Sequence, residues 1–138
     1  MIQERIRQLG PLFKRLRVRL VYLFGSQAIK HTGPLSDIDI AVLWPEGEKS
    51  PMLASVRLQQ VIRDKLRDER IEVGPLNGQG IGFCFQVIRD GIFLYGTEQE
   101  RVRFETGALN EYHDFGYWEK LHEASLKSAV LGSKLAHG

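Results

Sequence analysis

The chain has 138 residues, 43% of them apolar and 26% charged, with a formal net charge of +2. That length suits one domain with its own core, and so small a positive charge does not by itself demand a nucleic-acid partner. The single cysteine, Cys84, excludes an internal disulfide, no Cys/His spacing points to zinc, and no apolar run approaches the ~18 residues of a membrane span. The N-terminal stretch MIQERIRQLG is charged and amphipathic rather than signal-like. The expected setting is therefore the reducing cytoplasm, with no membrane attachment.

In chain order, Ile2, Ile6, Leu9 and Phe13 fall at helical spacing, with Gly10-Pro11 breaking or kinking that helix. Residues 17–24 read as a strand with a basic start and an apolar end. A glycine-led loop runs from Gly25 to Pro34, and residues 37–43 form a second strand closed by Trp44-Pro45. A polar loop over 46–51 leads into a helix over 52–68, with Leu58, Val61, Ile62 and Leu66 nearer the core than Leu53, Val56 and Gln60. A third strand runs from about Arg70 to Pro75. Phe83–Ile88 continues apolar, Arg89-Asp90-Gly91 is a turn, and Ile92–Tyr95 is a further short strand. Residues 98–113 and 117–135 are expected to be helical. The order α-β-loop-β-α-β-β-α predicts an α/β (α+β) fold, a small mixed β-sheet flanked by helices. A single domain over 1–138 is expected, with its core over about 1–105 and a helical extension over about 98–138.

Asp37 and Asp39 sit one residue apart inside the apolar stretch LSDIDIAV. In a strand they project from one face, while Ile38, Ile40 and Val42 point the other way, into the core. Two carboxylates so close repel, and partial burial makes this worse. A bound divalent cation removes the conflict. Oxygen ligands of this kind suit Mg²⁺ or Mn²⁺, which take their remaining ligands from water and substrate phosphates. Upstream, Gly25 ends a strand and lets the backbone approach a phosphate closely, and Ser26 adds a hydroxyl. A short helix starting at Gln27 would add amide donors for a triphosphate.

Gly25-Ser26 followed by Asp37-x-Asp39, within LFGS…SDIDIAV, resembles the signature of the DNA polymerase β-like nucleotidyltransferase superfamily, and of its minimal members in particular. The resemblance covers about residues 1–105. It implies the polymerase β-like fold, and transfer of a nucleoside monophosphate, AMP in the first instance, from an NTP such as ATP to an acceptor hydroxyl. It implies catalytic and metal-binding roles for Asp37, Asp39 and Glu72, the acid in the third strand. Nucleotide-binding roles fall to Gly25, Ser26, Ser36 and Lys30, with Mg²⁺ (or Mn²⁺) as cofactor. Two positions depart from the family pattern. Glu72 stands where the minimal enzymes use Asp, and Ile29-Lys30 replaces Arg-Gly. Lysine is a point charge rather than a bidentate fork, so Lys30 is either a partial substitute for that arginine or a plain surface lysine. The strand carrying Glu72 meets Gly74-Pro75, which places it at a sheet edge.

No segment of the chain stands out as an acceptor-binding domain. Minimal nucleotidyltransferases resemble antitoxins that pair with HEPN-type toxins, so the partner implied is such a toxin, modified on a hydroxyl. The alternative is a catalytically weak module of the same fold that regulates a partner by occlusion, which the two departures favour. Transfer to a small molecule would need a dimer to complete the site, and homo-oligomerisation stays open. Transfer to RNA would need a longer basic surface. The run Lys14, Arg15, Arg17 and Arg19 reads instead as a solvated face, which argues against nucleic acid. His31 reads as a loop residue, and His113, His122 and His137 show no metal spacing. Trp44, Tyr112, Phe115, Tyr117 and Trp118 read as core or helix-docking residues, with Tyr117-Trp118 a possible partner-facing pair.

Overall fold

The structure, a computed structural model, describes residues 1–25 and 37–114. Ser26, Ile29, Lys30, His31 and Ser36 lie outside the described residues, as do the helix expected over 117–135 and Phe115, Tyr117, Trp118, His122 and His137.

The N-terminal apolar pattern forms two helices, α1 (Ile2–Arg7) and α2 (Gly10–Arg15). Pro11 sits in the first turn of α2, where its missing N–H leaves nothing unsatisfied. Ile6 and Phe13 are fully buried. The strand expected from residue 17 begins three residues later, as β1 (Leu20–Phe24), because Arg17 adopts a left-handed turn conformation with φ 62°. There follow β2 (Ile38–Leu43), α3 (Pro51–Leu66) and β3 (Ile71–Pro75). The Ser50 hydroxyl caps α3 by accepting from the Leu53 N–H at 3.3 Å. Next comes α4 (Ile81–Asp90), then β4 (Ile92–Tyr95), and residues 98–114 form a further helix, α5.

The apolar run at Phe83–Ile88 is thus part of a helix that the expected element order lacked. Its apolar residues are nearly contiguous, a pattern common to a buried strand and a buried helix. Tertiary packing decides: Cys84 and Val87 are buried, one turn apart, against the sheet.

The sheet order is β3-β2-β1-β4, with β1 antiparallel to both its neighbours and β2 parallel to β3. This is the mixed sheet flanked by helices that the pattern predicts. Alternation along the two central strands divides the core. Val21, Leu23, Ile38, Ile40 and Val42 face a back layer, where Phe13 of α2 and Leu58 and Ile62 of α3 pack against them. Leu20, Tyr22, Ala41 and Leu43 face a front layer, where Cys84 and Val87 of α4 and Ala108 of α5 complete a smaller cluster. Both central strands are therefore apolar on both faces, except at one end of the front face.

Candidate active site

That exception holds the acids. Phe24 pairs with Asp39 across β1–β2, and Asp39 pairs with Glu72 across β2–β3. Residues opposite one another in a ladder project to the same side, so Asp39 and Glu72 stand side by side on the front face, where β1 ends and β2 and β3 begin. Asp37 stands one residue ahead of β2 and is exposed, as is Glu72, while Asp39 is half-buried. Burial pushes the Asp39 carboxyl above its ordinary 3.8, and the charges of Glu72 and Asp37 and a hydrogen bond with Glu72 push it the same way. In the free protein, then, the surroundings of Asp39 disfavour its ionised form.

Gly25 closes the site from the β1 side. Its φ is +78°, and a Cβ built there would stand 2.5 Å from Asp39 Oδ2. Both the backbone conformation and the close approach of the carboxylate demand glycine. Ile38, Ile40 and Val42 are fully buried in the back layer, which fixes the register that presents Asp39 forward.

Do these residues suit a divalent cation? The donors are carboxylate oxygens held against mutual repulsion, the chemistry of a Mg²⁺ or Mn²⁺ site. Among the described residues no three His, Cys, Asp or Glu side chains gather tightly enough to enclose a metal by themselves. A Mg²⁺ site built from one or two carboxylates plus substrate phosphates needs no such enclosure, so the set fits an ion that arrives with a nucleotide.

A family model described as polymerase beta nucleotidyltransferase matches residues 7–100 of the chain. The chain belongs to this nucleotidyltransferase family. It is 33% identical over 98 residues to the protein adenylyltransferase MntA of Shewanella oneidensis, covering 70% of this chain and 67% of that protein. Among solved structures, a toxin–antitoxin with AMP-PNP superposes with a TM-score of 0.70 at 24% identity, over 91% of this chain and 98% of the other. The tri-AMPylated Shewanella oneidensis HEPN toxin in complex with MNT antitoxin gives 0.66 at 24% identity, with the same coverage. These structural likenesses show the polymerase β-like fold.

In this nucleotidyltransferase the region bordering the acids includes residues that the sequence pattern did not single out. Gly25 also lines a slot of about 150 Å³, whose other walls among the described residues are Phe24, Phe83, Gln86, Val87 and Asp90. The last four lie at i, i+3, i+4 and i+7 of α4 and so form one helix face. In the sequence, Gly80 and Gly91 bound the ten residues that form this helix. Elsewhere, Trp44 is core, its Nε1 donating to Ser55 Oγ at 2.9 Å. Tyr112 stacks on Phe85 with centroids 3.9 Å apart and rings 4° from parallel. Lys14, Arg15 and Arg17 are exposed, whereas Arg19 pairs with Glu100 at 2.6 Å. His113 is exposed.

Proposed function

We propose that this nucleotidyltransferase moves AMP from ATP to a hydroxyl group of a partner protein, a HEPN-type toxin, and acts as its antitoxin. The observation that carries the reading is the convergence of Asp39 and Glu72 beside Gly25, with Asp37 alongside, at one open end of the sheet. The likeness to MntA and to toxin–antitoxin complexes, one with AMP-PNP and one with an AMPylated toxin, supports the substrate and the partner.

Asp37, Asp39 and Glu72 would hold Mg²⁺ or Mn²⁺. When bound, the ion neutralises phosphate oxygens and lowers the pKa of a hydroxyl brought to it. Gly25 brings the backbone against the phosphates, and Ser26, Ser36 and Lys30 are the candidates to complete that cradle. The acceptor oxygen attacks the α-phosphorus, the new P–O bond forms as the α–β anhydride bond breaks, and pyrophosphate leaves. Glu72, exposed on the outermost strand, would take the acceptor's proton. The remaining work is positioning, which the rigid β1–β2–β3 ladder performs.

The test is intact-mass analysis of a HEPN-type protein encoded beside this one, after incubation with the protein, ATP and Mg²⁺. A gain of one or more AMP units, abolished by chelation and absent with an Asp37→Asn/Asp39→Asn variant, is the expected result. A stable complex without any gain would reject transfer in favour of regulation by occlusion.

A further inference from the structure

The slot beside Gly25 has a composition that matches one part of a nucleotide. Among the described residues its walls are two phenylalanine rings and a valine, and its rim carries one amide and one carboxylate. Phe24 and Phe83 meet edge to face, with centroids 5.5 Å apart and planes at 87°. Both rings are only half-buried, which leaves ring surface for a flat ligand to stack on. At about 150 Å³ the slot is well below the roughly 300–1,000 Å³ of a site that swallows a whole drug-sized ligand. It matches the cavity volume of about 150 Å³ that accepts a single benzene ring. It therefore suits the flat end of a ligand whose remainder lies outside. Gly25 borders both the slot and Asp39, so that remainder would run toward the acids.

The rim narrows the choice. Gln86 is exposed and makes no hydrogen bond among the described residues, so its amide offers both a donor and an acceptor. Asp90 accepts from Arg89 Nε at 3.0 Å and from a terminal guanidinium nitrogen at 2.8 Å, which leaves lone pairs for a further donor. A glutamine amide pairs with the amino group and ring nitrogen of adenine, whereas guanine presents two adjacent acceptors that suit arginine or lysine. Among the described residues that line the slot there is no arginine or lysine, and Arg89, the chain neighbour of Asp90, is engaged by it.

We propose that the slot is the nucleobase subsite, with Phe83 stacking on the base and Gln86 selecting adenine, a proposal that rests on the nucleotidyl-transfer reading above.

Calorimetric titration with ATP, GTP and magnesium tripolyphosphate, without acceptor, tests it on the full chain and on Gln86→Leu and Phe83→Leu variants. The wild type should bind ATP more tightly than GTP. Gln86→Leu should lose about tenfold in ATP affinity, and with it the preference over GTP. Phe83→Leu should weaken both nucleotides by about tenfold. Neither variant should change tripolyphosphate binding. Because Gln86 is exposed, its variant tests the subsite even if Phe83→Leu loosens the fold. Equal ATP affinity in the wild type and Gln86→Leu would overturn the assignment and leave the transferase reading intact. Failure of the wild type to bind either ATP or tripolyphosphate would overturn both.

Discussion

A methyl group at position 25 would meet two obstacles at once, a left-handed backbone and the Asp39 carboxylate 2.5 Å away. The first costs about 1–2 kcal/mol. The second forces Asp39 aside, and a misplacement of about 1 Å at a reacting centre lowers rates by about a hundredfold. Gly25→Ala should therefore unfold at lower temperature and carry out nucleotidyl transfer at about a hundredth of the wild-type rate; full activity would show that Asp39 need not stay where it is. Asp39 itself makes the opposite trade. Folding raises its pKa above 3.8, so folding disfavours the ionised form. That penalty is fully present at neutral pH and is relieved as pH falls through the raised value toward the unfolded one. Without metal, Asp39→Asn should stabilise the protein at pH 7 by on the order of 0.5 kcal/mol, with the gain vanishing near pH 4. Added Mg²⁺ with ATP should raise the Tm of the wild type and leave the variant unmoved. Thermal melts across pH decide this, and an unchanged or lowered variant Tm at pH 7 would contradict it. At this scale the sequence was informative where a residue type conflicts with its surroundings. Two acids in an apolar strand and a glycine at a strand end are such conflicts, whereas Gln86 and Asp90 are ordinary residues for a helix surface and signalled nothing.

Elements were legible where periodicity and boundaries agreed. In β2, strict alternation separated Asp39 from Ile38 and Ile40, and in α3 the apolar residues at 58, 62 and 66 lie on the buried face as their spacing predicts. In α4 a contiguous apolar run concealed the helix, and at Arg17 a single left-handed residue shortened β1. Nothing in the pattern revealed how the sheet edge is finished. β3 is an outer strand, with outward backbone groups that would template another strand. Two side chains one turn apart on α3 occupy those groups. Gln59 Oε1 accepts from the Val73 N–H at 2.9 Å, and Arg63 Nε donates to the Ile71 carbonyl at 2.7 Å. Replacing both, as Gln59→Leu/Arg63→Met, leaves a donor and an acceptor bare beneath α3. The double variant should lose about 1–3 kcal/mol of stability to denaturant and should self-associate in sedimentation runs where the wild type does not. If stability and association both hold steady, the bulk of α3, rather than these two bonds, guards the edge.

For the molecule as a whole, the sheet carries two unequal layers. The back layer rests on a large apolar cluster built from three helices. The front layer, which flanks the acids, has a smaller cluster and relies on polar ties to α5. Tyr22, on the central strand and 1% exposed, donates through its hydroxyl to Glu105 at 2.9 Å. Arg101 donates to the same carboxylate at 3.2 Å and lies 4.6 Å from the Phe93 ring centroid, and Arg19 holds Glu100 through two bonds of 2.9 and 2.6 Å. Burial and the Glu105 carboxylate drive the Tyr22 phenol far above its ordinary range, so it stays a donor at every pH the protein meets. With a smaller apolar cluster and ties that reach the surface, such a layer is expected to open more readily than the back one. Tyr22→Phe removes the one tie anchored in the sheet's centre without changing shape, leaving Glu105 with a charged partner but one bond fewer. We expect a loss of about 1 kcal/mol, with faster amide exchange across α5 and unchanged exchange in α3. Acceleration of equal size in both helices would mean that the two layers open as a single unit, and that the sheet end bearing Asp39 and Glu72 is no more adaptable than the core behind it.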